Sequence, residues 1–194
     1  MSVLPNIRNI TVTGRIASGA TTLAKQISDI LGWNFIEGGK YNDAFFARIN
    51  QSEVNVHLRP DSLDTEFDAE VKHILKNESH FVIQSHLAGF NAQGIDGVFK
   101  ILTVCEDKNG VDRTEIRIDR LVNRKNISVE EAKDEVQKRE AGNLEKWRKL
   151  YANNDQNWVH WNPKYYDLII NTFTLNREAS LEHALKAIGY NPTS

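Results

Sequence analysis

The chain has 194 residues, a length that suits one α/β domain with a small helical insertion. Its 24 lysines and arginines nearly balance 26 aspartates and glutamates, which argues against a dedicated nucleic-acid-binding protein. The single cysteine, Cys105, excludes an internal disulfide, and no apolar run approaches the ~18 residues of a membrane span. The N-terminal residues also lack the apolar stretch of a signal peptide. We therefore expect a cytoplasmic protein, a monomer or a homodimer, with neither a nucleic-acid nor a membrane partner.

Short β-branched runs alternate with helical patterns along the chain, which predicts a parallel sheet covered by helices. The first strand, 9–13, ends at Gly14, and a helix with one apolar face follows over about 21–31. Further strands are predicted at 33–36, 81–83, 99–105 and 166–171, and a last helix at Ser180. The fold class is therefore a three-layer α/β/α sandwich with a five-stranded parallel sheet.

Two segments between these strands are predicted to be helical. Residues 40–79 form an insertion in which Ser62 can cap a helix. Residues 113–151 contain an arginine-bearing helix and then a capping box, Ser128-Val-Glu-Glu131, which opens a long helix to about Tyr151. The polar stretch 153–163 is predicted to be a loop that Trp158 and Trp161 anchor to the body.

The turn after the first strand has the spacing of a phosphate-binding loop. Residues 14–22 read GRIASGATT, between a strand and a helix as the motif requires. Glycines let backbone N–H groups turn around a phosphate, and the start of the helix adds its positive end. A hydroxyl at the motif's last position can ligate Mg²⁺. We expect the phosphates and Mg²⁺ of ATP to bind here, through Gly14, Arg15, Ser18, Gly19, Ala20, Thr21 and Thr22, with Thr21 as the metal ligand.

The lysine of this motif is missing, since Ala20 occupies its position. That lysine normally neutralises charge on the transferring phosphoryl group. Arg15 in the loop and Lys40 after the second strand are the candidates to replace it, and Lys25 is a weaker one because it lies a turn into the helix.

Four arginines, at positions 113, 117, 120 and 124, fall at helical spacing on one face of a helix. Arg139 and Lys146 follow on the next helix. Arginine forks match phosphate oxygens, so these side chains are candidates to stabilise a transferring phosphoryl group. The alternative is a solvated helix face paired with Glu115 and Asp119.

With these motifs in place, the chain resembles the nucleoside monophosphate kinases, and most closely the archaeal-type cytidylate kinases. The resemblance rests on ITVTGRIASGATT, on IDRLVNRKNISVEEA with the Arg139-Glu140 pair that follows, and on YDLIINT. It implies ATP with Mg²⁺ as the donor, CMP or dCMP as the acceptor, and a lid over 113–151. It also implies roles for the matching residues: phosphate binding for the loop, and catalysis for Arg120, Arg124, Arg139 and Lys146.

The departures from this family lie on the acceptor side. A Glu-Gly-Arg-like motif ends the family's third strand, and here the residues are Gln84-Ser85-His86. The family's phosphate-binding arginine after the second strand corresponds to Asp43. We expect Lys40, Arg48 and His86 to contribute to the acceptor site. Asn143 and Lys146 stand where the family has an aspartate or asparagine and an arginine.

These departures leave two alternatives open beside phosphoryl transfer to CMP. One is a non-catalytic nucleotide-binding protein on a kinase scaffold. The other is a P-loop kinase for another small acceptor.

Overall fold

The computed structural model describes residues 4–191. A five-stranded sheet forms its centre, with strand order β2-β3-β1-β4-β5 and every neighbouring pair parallel. The strands are β1 (Asn9–Gly14), β2 (Asn34–Glu37), β3 (Phe81–Gln84), β4 (Val98–Val104) and β5 (Leu168–Asn171). This sheet confirms the predicted fold class and all five strands.

Burial explains why β1 takes the central position. All six of its residues are buried, as a strand between two parallel neighbours with helices on both faces requires. The first helix packs Leu23 and Ile27 against Ile10 and Val12 on one face of the sheet. This core fixes the carboxyl end of β1 beside those of β3 and β4, where the candidate site lies.

Eight α-helices occur among residues 4–191. They are α1 (Ala20–Leu31), α2 (Gly39–Arg48), α3 (Asp61–Asn77), α4 (Ala88–Asn91), α5 (Thr114–Lys125), α6 (Val129–Lys133), α7 (Glu140–Tyr151) and α8 (Arg177–Ala187). None of the helices in this part of the chain is long and apolar enough to cross a membrane.

The segment 113–151 differs from the prediction in two ways. Arg113 precedes α5 and bonds with Glu115, so it is not on the helical face of the other three arginines. The capping box at Ser128 is confirmed, but the long helix is α6 and α7 joined by a π-helical turn, Asp134–Arg139. A π turn inserts an extra residue, which rotates the side chains that follow it around the helix axis.

Two predicted helix starts are also wrong. The last helix begins at Arg177, three residues before Ser180, because the Asn176 side chain accepts a hydrogen bond from the Ala179 N–H and so caps it. In the insertion, Ser62 lies inside α3, which begins at Asp61 after extended Pro60.

Candidate active site

The loop between β1 and α1 is tied to two other strands of the sheet. The Ser18 backbone N–H donates to the Arg15 carbonyl at 3.0 Å, which closes the turn. The Ser18 hydroxyl lies 2.7 Å from that of Thr103 in β4, and the Thr172 hydroxyl after β5 donates to the Ser18 carbonyl at 2.9 Å. The loop is therefore held in place without any ligand.

Two glycines of this loop are required by its geometry. A Cβ on Gly14 would lie 2.2 Å from the hydroxyl oxygens of both Ser18 and Thr103. Gly19, which precedes the first turn of α1, has φ +99°, a backbone conformation that side chains disfavour. The loop thus delivers the positive end of α1 to the cavity beside it.

That cavity has a volume of about 330 Å³. The phosphate loop forms one side, and the α2–α3 segment, the carboxyl end of β3, the end of α5, the π turn and α7 form the rest. Phe67 and Trp147 supply aromatic surface, and the Thr21 hydroxyl donates to the Gln84 side-chain oxygen at 3.2 Å. A second cavity, of about 570 Å³, lies on the other side of the loop against α1, α5 and α8.

Arg124 lines both cavities. Among residues 4–191 it is not recorded in any hydrogen bond or ion pair, so its guanidinium charge is available to a ligand. Arg120 lines the second cavity only, and it donates to the Thr172 carbonyl at 2.7 Å and to the Thr172 hydroxyl at 2.9 Å. Of these two predicted catalytic residues, Arg124 is the one with unused donors beside the phosphate loop.

The other two predicted catalytic residues are already paired. Arg139 lines the first cavity and forms ion pairs with Glu53 and Glu135. The Lys146 ammonium lies 3.0 Å from Asp64 and 3.3 Å from Asp61, and it also donates to the Arg59 carbonyl. Lys146 therefore joins α7 to the start of α3, and its catalytic role stays a prediction.

Neither candidate for the missing lysine extends a spare charge into the first cavity. The Arg15 guanidinium lies 3.1 Å from Asp112, also pairs with Glu140, and stacks 4.6 Å from the ring centre of Trp161. The Lys40 side chain is 74% exposed, and its nearest partner is Glu37 at 3.7 Å. Both assignments remain predictions.

His86 lies at the carboxyl end of β3 and lines the first cavity. Its Nδ1 is 3.0 Å from the Gly14 carbonyl oxygen. A carbonyl only accepts, so Nδ1 carries the proton. Burial, followed by the charge of Arg139, lowers the pKa of His86 to about 4. His86 is therefore neutral at pH 7, and it braces the phosphate loop instead of supplying a positive charge.

Arg48, the other residue expected at the acceptor site, is exposed at the end of α2 and stacks 5.7 Å from the ring centre of Phe45. It does not line either cavity described above. Its role stays a prediction.

Arg117, one of the four arginines at helical spacing, is fully buried, and the resemblance implied no role for it. Its guanidinium donates to the Ile16 carbonyl in the phosphate loop at 2.8 Å, and it pairs with Asp112 at 2.9 Å and Glu140 at 3.0 Å. It thereby ties α5 and α7 to the loop. Its spacing from the other arginines of α5 marks it as a candidate, but the sequence does not distinguish a buried arginine in such a row from an exposed one.

The stretch between α7 and β5 packs beside this loop. Trp158 packs edge-to-face against Phe90 with ring centres 5.3 Å apart, and Trp161 lies under Arg15, so the predicted anchoring by two tryptophans is confirmed. His160 is buried against His86 and Trp147, and neither of its ring nitrogens has a hydrogen-bond partner. Burial holds the pKa of His160 well below its usual value.

Comparison with known proteins finds cytidylate kinases among the relatives of this chain. No protein-family model matches the chain. A cytidylate kinase from Pyrococcus horikoshii is 30% identical over 167 residues, which cover 84% of this chain and 79% of the relative. A cytidylate kinase from Haloarcula marismortui is 26% identical over 187 residues, covering 94% and 91% respectively.

Among solved structures, a gluconokinase from Sinorhizobium meliloti superposes with a TM-score of 0.59 at 13% identity. The match covers 97% of this chain and 94% of that one. At this identity the likeness concerns the fold alone.

Proposed function

The chain belongs to the cytidylate kinase family, which confirms the resemblance drawn from its sequence, and from this premise we propose that it transfers the γ-phosphoryl group of ATP to CMP or dCMP. The products are ADP and the cytidine diphosphate. Phosphoryl transfer of this type needs positioning and charge stabilisation more than covalent chemistry. The groups that would supply both lie around the phosphate loop.

The position of Arg124 is the main observation that supports this proposal. It lines both cavities beside the loop, and its guanidinium has no recorded partner among the described residues. A cation at the junction of donor and acceptor can stabilise the charge that spreads over the transferring group. Arg124 therefore supplies the positive charge that Ala20 cannot.

Oxygen donors at the loop fit Mg²⁺, a hard cation that keeps several waters and binds protein through few ligands. Thr21 and Gln84 both line the first cavity, with their side-chain oxygens 3.2 Å apart. They would hold the metal, Thr21 through its hydroxyl and Gln84 through its amide oxygen. When bound there, Mg²⁺ would neutralise part of the charge of the phosphates.

The second cavity suits the nucleoside of ATP. Two polar atoms there, the side-chain oxygens of Gln26 and Ser180, are buried and lack hydrogen-bond partners. Buried polar groups cost free energy until they are paired, so they favour a ligand with polar edges. Arg120 is held by Thr172 at the edge of this cavity, where its guanidinium plane can face a base.

The acceptor lies in the first cavity, between the segment 40–79 and the lid 113–151. Phe67 and Trp147 provide aromatic surface for a base, and Arg139 is the lid cation on that side. The Trp147 indole N–H donates to Asp64 at 3.3 Å, which holds the ring. Residues 40–79 thus form the acceptor-binding part of the chain.

A turnover assay tests this function. The purified protein is incubated with ATP, Mg²⁺ and each of CMP, dCMP, UMP and AMP, and ADP and nucleoside diphosphate are measured. We expect CDP and dCDP to form together with ADP. Calorimetric ATP binding without turnover of any acceptor would contradict the proposal in favour of a non-catalytic nucleotide-binding protein. ADP formation only with another acceptor, such as UMP, AMP or an added small alcohol, would select the other alternative.

A further inference from the structure

Arg139 and Glu53 form an ion pair across the first cavity. Glu53 comes from the loop after α2, on the acceptor side, whereas Arg139 ends the π turn of the lid, and both line the cavity. Their side chains are only 15% and 9% exposed. The pair is therefore shielded from solvent, and it joins the two parts of the chain that an acceptor nucleotide would separate.

The cations around this pair already have carboxyl partners without a ligand. The second nitrogen of Arg139 bonds with Glu135 at 3.0 Å. Lys125 bonds with Glu135 at 2.6 Å and lies 4.0 Å from Glu53. Asp43, on α2, also lies beside Glu53. Two cations thus face three carboxyl groups, so Arg139 has no surplus positive charge to offer a phosphate while Glu53 stays bound to it.

Arg139 can bind only one anion well at the position that Glu53 occupies. A phosphate offers the same kind of oxygens as a carboxylate and matches the same guanidinium fork. We propose that Glu53 is a resident anion on Arg139 that the acceptor's phosphate must displace, and that Glu53 thereby sets the affinity of the acceptor site. This inference rests on the function proposed above, since it assigns the acceptor's phosphate to Arg139.

The proton equilibrium of Glu53 agrees with this competition. The pKa of Glu53 is raised to about 7, because burial and the hydrogen bond and charge of Asp43 raise it more than Arg139 lowers it. Lys125 acts in the same direction as Arg139. Because Glu135 shares both cations, Glu53 is a weakly held anion near neutral pH. A phosphate dianion placed beside it would raise the pKa of Glu53 further.

Binding of CMP, measured by calorimetry at pH 8, tests the competition directly. Glu53→Gln removes the resident charge and keeps the side-chain shape. We expect it to bind CMP about tenfold more tightly than the wild type, a coupling typical of two ligands that influence one another. The matched control is Glu130→Gln, which removes the same charge from an exposed position on α6. It should bind CMP within about twofold of the wild type, as surface pairs contribute little.

Proton uptake provides a test that needs no substitution. At pH 8 the phosphate of CMP is already a dianion, because its second pKa is about 6. If CMP displaces Glu53 and raises its pKa by about one unit, the wild type takes up about 0.4 proton on binding. The uptake is measured by calorimetry in two buffers with different ionisation enthalpies. It should disappear in Glu53→Gln.

Three results would overturn the inference. CMP affinity that is equal or weaker in Glu53→Gln means that Glu53 does not compete. If CMP affinity rises equally in Glu130→Gln, the effect comes from the net charge of the protein. Binding of CMP by the wild type without proton uptake overturns it even if Glu53→Gln fails to fold. CMP that binds without being phosphorylated would refute the proposed function alone, because these binding measurements do not depend on turnover.

Discussion

The two sides of the central cavity hold their polar groups in different ways. On the donor side, backbone and hydroxyl contacts fix the phosphate loop, as with Ser18 between Thr103 and Thr172, and they leave Arg124 without a partner. On the acceptor side, the cations are bound to carboxylates of the same chain, as Arg139 is to Glu53. A phosphate can bind on the donor side without breaking an ion pair, but on the acceptor side it must break one.

This difference has an energetic consequence. A fixed loop needs little reorganisation when the ligand arrives, which is how preorganised sites stabilise charge. When a phosphate displaces the carboxylate of a buried ion pair, much of its attraction to the cation only replaces the attraction that the carboxylate had. We therefore expect changes on the donor side to have larger effects than changes on the acceptor side.

Gly14→Ala is expected to break the donor side. The new Cβ would lie 2.2 Å from two hydroxyl oxygens and 3.0 Å from the Thr103 carbonyl, so the loop must move. We expect ATP binding to weaken at least about a hundredfold, or ~3 kcal/mol, the upper range for overpacking. Calorimetry measures the ATP affinity of this variant.

The matched control on the acceptor side is Gly39→Ala, whose Cβ would meet nothing within 4 Å. ATP affinity in this variant should stay within about twofold of the wild type, as expected for a substitution without a clash. ATP binding to Gly14→Ala within threefold of the wild type would show that the loop is not the donor site.

Arg124→Ala should separate binding from chemistry. Because Arg124 lies beside the loop without a partner, its loss removes charge stabilisation from the transferring group. We expect kcat to fall about a hundredfold, or ~2.7 kcal/mol, while ATP affinity changes much less. Steady-state kinetics with CMP and calorimetry with ATP measure the two effects. A loss of ATP affinity with kcat unchanged would mean that Arg124 only binds ATP.

The same comparison shows which features could be predicted from the sequence. The strands and the loop depend on local signals, namely β-branched runs and glycine spacing, so they could be predicted. The start of the C-terminal helix could have been predicted from Asn176, a good cap four residues before Ser180. The pairing of Arg139 with Glu53 could not be predicted from the sequence, because it joins residues 86 positions apart and depends on how the lid packs.

His86→Ala should weaken ATP binding about fivefold, since the lost hydrogen bond to the Gly14 carbonyl is worth ~1 kcal/mol. Asn can place an N–H donor near the position of Nδ1, so His86→Asn should recover most of the affinity. The loss should be the same from pH 5 to pH 8, because His86 with a pKa of about 4 stays neutral there. An effect that grows below pH 7 would mean that His86 acts as a cation.

Acid should destabilise the fold through the two buried histidines. In the folded chain the pKa values of His86 and His160 lie below 6.5, so the unfolded chain binds more protons in this range. Their contribution to stability is complete above pH 6.5 and is lost as the pH falls toward 4. Replacing His160 with Phe should reduce this slope in denaturant titrations from pH 7 to pH 4.5. An unchanged slope would exclude His160 as its source.

Lys40→Ala should have the smallest effect, because this ammonium is 74% exposed and has only a loose contact with Glu37 at 3.7 Å. Exposed charge pairs contribute little, so we expect kcat with CMP to change less than about twofold. If Lys40 instead replaces the missing lysine, its removal would lower kcat far more than ATP affinity, as in Arg124→Ala. The ratio of these two losses therefore decides which cation serves the phosphate loop during turnover.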